Sequence, residues 1–180
     1  MKNILLVGGA GYVGTVLTGH FLKKRHKVTV LDNFVYENQF SVVPFIGDSN
    51  YKIVYGDMGN NSDLQKVVSG ITDVILMAGL VGDPITKKYP IESEQINEKG
   101  VQNCINFFNG RGIDKLVFIS TCSNYGLIKE GELADEEFVL SPLSLYAKAK
   151  VANEMFLMDK KGSVDYTGVV LRFATAFGMS

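Results

Sequence analysis

The sequence predicts an α/β fold on a doubly wound parallel sheet, and three observations carry that expectation. Short apolar runs recur along the chain, as strands buried on both faces require. Segments with apolar residues at helical spacing separate several of them, which is the crossover that parallel neighbours need. The first run enters a glycine cluster that opens directly into the first helical pattern.

In chain order, residues 2–7 form the first strand and residues 12–24 the first helix, with Val13, Val16, Leu17 and Phe21 at helical spacing. Residues 27–31, 51–55 and 73–77 read as strands two to four. A short helix over 64–68 precedes the fourth strand, and a longer one over 92–108 follows it. Residues 115–119 give strand five, 144–161 the next helix and 167–171 strand six. The irregular stretches, about 33–50 and 124–143, are long enough to be functional edges.

The 180 residues fit one domain, and 46% hydrophobic residues suffice for a sizeable core. Eighteen Lys and Arg against 19 Asp and Glu leave no basic field for nucleic acid or an anionic membrane, so small molecules or proteins are the expected partners. The apolar runs fall far short of the roughly 20 residues that span a bilayer. Cys104 and Cys122 are isolated, without metal-ligand spacing, which points to a reducing cytoplasm and to no metal.

Gly8, Gly11 and Gly14 are spaced as G-x-x-G-x-x-G between the first strand and its helix. A tight turn, close approach of a pyrophosphate and close helix–strand packing each favour glycine, and the phosphates would meet free N–H groups at the positive end of the helix. Asp32 lies 18 residues beyond Gly14 at the end of strand two, where a carboxylate can accept from ribose hydroxyls. Its charge opposes a 2′-phosphate and no Lys or Arg follows before Lys52, which favours NAD over NADP. After strand three, Asp57 with Met58 is positioned for the adenine side, although Gly-Asp is also an ordinary turn.

Tyr146 and Lys150 stand four apart on one helix face, so an ammonium could lower the phenol pKa and let Tyr146 exchange a proton during hydride transfer. A solvated Lys beside a packed Tyr is the bland alternative. Strand five, however, ends in hydroxyls where α/β sheets place ligands, and Thr121 could hold a substrate oxygen beside Tyr146. Cys122 and Ser123 are candidate substrate contacts, the alternative being a buried thiol and a loop hydroxyl. Residues 129–137 carry five acidic side chains and read as a solvated flap, while His20 and His26 lie away from the site.

Along its whole length the sequence resembles the extended short-chain dehydrogenase/reductases, the NAD-dependent epimerase/dehydratase family with its Rossmann fold. In this resemblance Gly8, Gly11 and Gly14 correspond to the glycine motif, with Tyr12 and Val13 beside the cofactor; Asp32 and Asn33 fall at the ribose carboxylate and Asp57 and Met58 at the adenine-side aspartate. Met77, Ala78 and Gly79 look like the strand-four cofactor segment, and Asn97 with Gly100 like the central-helix asparagine motif. Thr121, Tyr146 and Lys150 match the catalytic set, and Phe173 belongs to the segment near the nicotinamide.

The resemblance implies NAD as cofactor, a nucleotide sugar as substrate and a homodimer paired through the helices at 92–108 and 144–161. Two departures shape it. Dehydratases of the family place Asp-Glu after the catalytic Thr, whereas Cys122-Ser123 follows here, so an epimerase working through a keto intermediate is expected. Relatives also usually continue for over a hundred residues, which implies that residues 1–180 are the NAD-binding domain, lacking most of the substrate domain. A reductase or dehydrogenase, or a truncated non-catalytic NAD-binding module, are the alternatives.

Overall fold

The computed structural model describes residues 1–178 and contains a six-stranded, wholly parallel sheet. Its strands are β1 (Asn3–Val7), β2 (Lys27–Asp32), β3 (Tyr51–Tyr55), β4 (Asp73–Leu76), β5 (Lys115–Thr121) and β6 (Thr167–Phe173), in the order β3-β2-β1-β4-β5-β6. The chain therefore runs outward from β1 to β3, returns, and continues from β4 to β6 on the other side. The switch between β1 and β4 leaves a crevice at the carboxyl ends of the strands.

Alternation along β1 shows how both faces are covered. Leu5 and Val7 join a core with Val74, Leu76, Phe108, Leu116 and Phe118, whereas Ile4 and Leu6 face the opposite side with Val28 and Val30. Helix α1 (Tyr12–Lys23) covers this second side through Leu17, Phe21 and Leu22. It ends in a Schellman arrangement, with Arg25 N–H on the Leu22 carbonyl and His26 N–H on that of Phe21, and Arg25 takes the left-handed position at φ 59° that glycine usually fills.

On the first side lie α2 (Asn61–Gln65), α3 (Asp83–Lys88), α4 (Pro90–Glu94), α5 (Val101–Phe107) and α6 (Leu145–Asp159). Helix α2 begins earlier than the expected 64–68 because the Asn60 side chain caps it, accepting from Ser62 N–H at 2.9 Å. The helix expected over 92–108 is divided: a π-helical segment, Gln95–Gly100, joins α4 to α5. Helix α3 and a 3₁₀ turn, Gln39–Phe45, occupy stretches without a clear apolar period. Strand β6 extends to Phe173, which pairs with Thr121 and so brings the two strand ends side by side. Among the described residues no helix is long and apolar enough to cross a membrane.

Candidate active site

The crevice holds a cavity of about 650 Å³ at the carboxyl ends of the strands, within the range of small-molecule sites. The glycine turn forms its floor. Gly8 sits at φ +83°, and a Cβ there would come within 2.6 Å of the Ala78 backbone, so glycine permits β1 and the end of β4 to meet. A Cβ on Gly14 would lie 2.5 Å from the Gly9 carbonyl, so only glycine lets α1 start this close to the turn. No side chain caps α1 at Gly11 and its first turn holds no acidic residue, leaving an electropositive helix end facing the cavity with Gly11, Tyr12, Val13 and Gly14.

Asp32 is committed structurally and still has acceptor capacity. One carboxylate oxygen accepts Ala10 N–H at 2.9 Å and the other Phe34 N–H at 2.8 Å, clamping the end of β2 to the glycine turn. A carboxylate offers about four lone-pair positions, so ribose hydroxyls can still be received. Asn33, Met77, Ala78, Gly79 and Phe173 line the same cavity. Asp57 and Met58 do not. They line a recess of about 40 Å³ that shares Gly8, Asp32, Asn33 and Gly79 with the main cavity.

Thr121, Tyr146 and Lys150 all line the main cavity. Ser144 caps α6 by accepting Ala147 N–H at 3.1 Å, which sets the turn carrying Tyr146. Lys150 is buried, donates to the Ile119 carbonyl at 2.8 Å, and lies 4.7 Å from the Phe118 ring centre and 5.7 Å from that of Tyr146. Burial lowers its pKa to about 8 against a smaller opposing pull from Glu154. Burial also pushes the Tyr146 phenol up, with Tyr36 adding to the rise. The depression expected from Lys150 is not found, and the ammonium donates to the Ile119 carbonyl.

Three further sequence candidates also stand outside the main cavity. Asn97 is buried with its amide oxygen on Leu80 N–H at 2.7 Å and its amide nitrogen on the Leu80 carbonyl at 2.9 Å, so it clamps the segment after β4. Its own carbonyl accepts from Asn153 of α6 at 2.6 Å, tying that clamp to the catalytic helix. Cys122 and Ser123 are exposed in a 3₁₀ turn, Cys122–Tyr125, and Ser123 touches the site only through Thr121, 3.2 Å from its hydroxyl.

The structure adds residues that sequence patterns did not reveal. Tyr36 and Asn38, from the irregular stretch after β2, line the cavity. Behind the site, Glu154 of α6 is buried and accepts from Arg172 at 2.8 Å and from Asn124 at 2.7 Å; Arg172 also donates to the Glu136 carbonyl, joining β6, α6 and the acidic flap. The Glu154 carboxylate, with a smaller contribution from Tyr125, holds the guanidinium pKa well above its usual value.

The model of the NAD dependent epimerase/dehydratase family matches residues 4–180. The chain belongs to that family. A relative, the UDP-glucose 4-epimerase of Corynebacterium glutamicum, is 29% identical over 99% of this chain and 48% of its own length. The solved UDP-glucose 4-epimerase of Thermus thermophilus in complex with NAD superposes with a TM-score of 0.85, at 27% identity over 95% of this chain and 54% of the other. The dTDP-glucose 4,6-dehydratase DesIV of Streptomyces venezuelae gives the same TM-score at 22% identity, covering 94% of this chain and 55% of the other, so the family fold serves both reactions and does not separate them. The chain spans about half the length of the curated relatives it matches.

Proposed function

We propose that residues 1–180 are the NAD-binding and catalytic domain of a nucleotide-sugar epimerase. The observation that carries this reading is that the glycine turn, Asp32, Thr121, Tyr146 and Lys150 line one continuous cavity. Its uncapped helix end suits a pyrophosphate, Asp32 the adenosine ribose and the recess beside Asp57 and Met58 the adenine edge.

Bound NAD would supply a hydride acceptor that later returns the hydride. Tyr146 takes the proton of a sugar hydroxyl as its carbon is oxidised to a ketone, and returns it when the ketone is reduced on the opposite face. Thr121 orients the reacting oxygen. Lys150, largely protonated at pH 7 with a pKa of about 8, would, on turning from the Ile119 carbonyl towards the cavity, supply a positive charge that opposes the burial-driven rise of the Tyr146 phenol and a donor for the nicotinamide ribose. An epimerase is preferred to a dehydratase because Cys122 and Ser123, after Thr121, carry no carboxylate. The names of the relatives, UDP-glucose and UDP-arabinose 4-epimerases, point to a UDP-sugar and to its C4 centre. The same reading includes a homodimer and a cytoplasmic location.

The test is conversion of UDP-glucose to UDP-galactose by the NAD-loaded full-length enzyme that carries this domain. The expected result is turnover that Tyr146→Phe abolishes while NAD affinity stays nearly unchanged. Absence of turnover, or turnover undiminished by Tyr146→Phe, contradicts the reading.

A further inference from the structure

Tyr36 occupies an unusual place over the cavity. Its hydroxyl accepts the backbone N–H of Val81 at 3.0 Å, linking the segment that follows β2 to the segment that follows β4. Strand β1 lies between β2 and β4 in the sheet, so this bridge passes over the end of β1, above the glycine turn. Tyr36, Val81 and the glycines line the same cavity.

The segment carrying Tyr36 is fastened on both sides of it. Asp32 accepts Phe34 N–H, Asn33 accepts Val35 N–H, and Glu37 N–H closes a turn onto the Phe34 carbonyl. Beyond it, Asn38 and Ser41 both donate to the Ala10 carbonyl at 2.7 Å, tying the segment to the glycine turn. Phe34 and Glu37 have φ values of 52° and 53°, left-handed positions that non-glycine residues seldom take and that gather where a segment is built to change conformation or hold a ligand. Between these anchors the Tyr36 side chain is half-exposed and, among the described residues, has one hydrogen bond, the one to Val81.

We propose that Tyr36 is a latch that closes the dinucleotide cavity and sets the rate at which the cofactor enters and leaves. A dinucleotide laid from Asp32 at the end of β2 to Tyr146 and Phe173 beyond β5 must cross the end of β1, beneath this bridge. The bridge is formed in this structure, and on the proposal it opens to pass the dinucleotide and closes again over it, so its opening is common to association and dissociation. Removing the hydroxyl loosens the bridge in both states. Loss of one net hydrogen bond corresponds to a roughly three- to tenfold larger open population.

This inference rests on the reading of the cavity as the NAD site. The test is stopped-flow fluorescence of NADH mixed with the cofactor-free chain and with its Tyr36→Phe and Tyr36→Ala variants. The expected result for Tyr36→Phe is association and dissociation both faster by roughly three- to tenfold, with Kd changed less than about twofold. Tyr36→Ala should show the same acceleration of association, and the thermal midpoints of the cofactor-free proteins should be unchanged. Faster association on losing a contact is not produced by a residue that only supports the fold or only touches the cofactor. Unchanged association rates in both variants overturn the latch while leaving the cofactor reading intact. A rise in dissociation alone makes Tyr36 a direct contact and also overturns it. Failure of the unsubstituted chain to bind NADH overturns the cofactor reading and the latch with it.

Discussion

Replacing Lys150 by Met separates what the site needs from what the fold prefers. The buried ammonium has a pKa of about 8 in place of an ordinary 10.5, so its charged form costs the folded chain about 3 kcal/mol relative to the unfolded one. Its hydrogen bond to the Ile119 carbonyl offsets about 1–2 kcal/mol of what a Met variant would gain. At pH 7 Lys150→Met should therefore be more stable than the original by about 1–2 kcal/mol. The advantage depends on pH with a definite sign. Between pH 8 and 10.5 the folded Lys150 has released its proton and the unfolded one has kept it, so unfolding takes up a proton and stability rises with pH. The original chain should gain about 1 kcal/mol on the variant from pH 7 to pH 9. The thiol of Cys104, pushed up from 9.0 to about 12 by burial, works in the opposite direction but is common to both proteins and cancels in the difference. Urea unfolding of both proteins at pH 7, 8 and 9 measures this. A stability difference that stays constant over that range would refute the reasoning.

Asn97→Ala leaves the buried N–H and carbonyl of Leu80 without their partners and should cost about 2–4 kcal/mol in urea unfolding. Asp32→Asn removes the charge that opposes a 2′-phosphate and should raise the NADP-to-NAD affinity ratio at least about tenfold, read by calorimetric titration. Arg25→Gly relieves a left-handed residue at the end of α1 and should raise stability by about 0.5–1 kcal/mol, even after the added freedom of the unfolded chain is counted.

All six strands were legible because each is an apolar run bounded by turns, and a central parallel strand has little freedom to be anything else. The glycine turn was legible because its chemistry is local: Gly8 and Gly14 meet backbone within a few residues or across one strand pair. The 92–108 helix was read as continuous because apolar spacing does not register the extra residue in a π turn, here at Gln95–Gly100. The motif assigns Asn97 to the cofactor, but its bonds to Leu80, a partner 17 residues away, are encoded by no periodicity. Spacing put Lys150 beside Tyr146, but whether the ammonium serves the phenol or the Ile119 carbonyl depends on a rotamer and a neighbouring strand. Tyr36 was invisible for the same reason, since a turn with two left-handed residues sets its direction.

The most direct measurement is a crystal structure of the chain with NAD. The expected result places the pyrophosphate at the start of α1, the adenosine ribose hydroxyls on Asp32, and the nicotinamide ring beside Tyr146 with its ribose on Lys150. A dinucleotide bound outside the cavity, or bound in it with the nicotinamide remote from Tyr146, would contradict a single cofactor-binding and catalytic site.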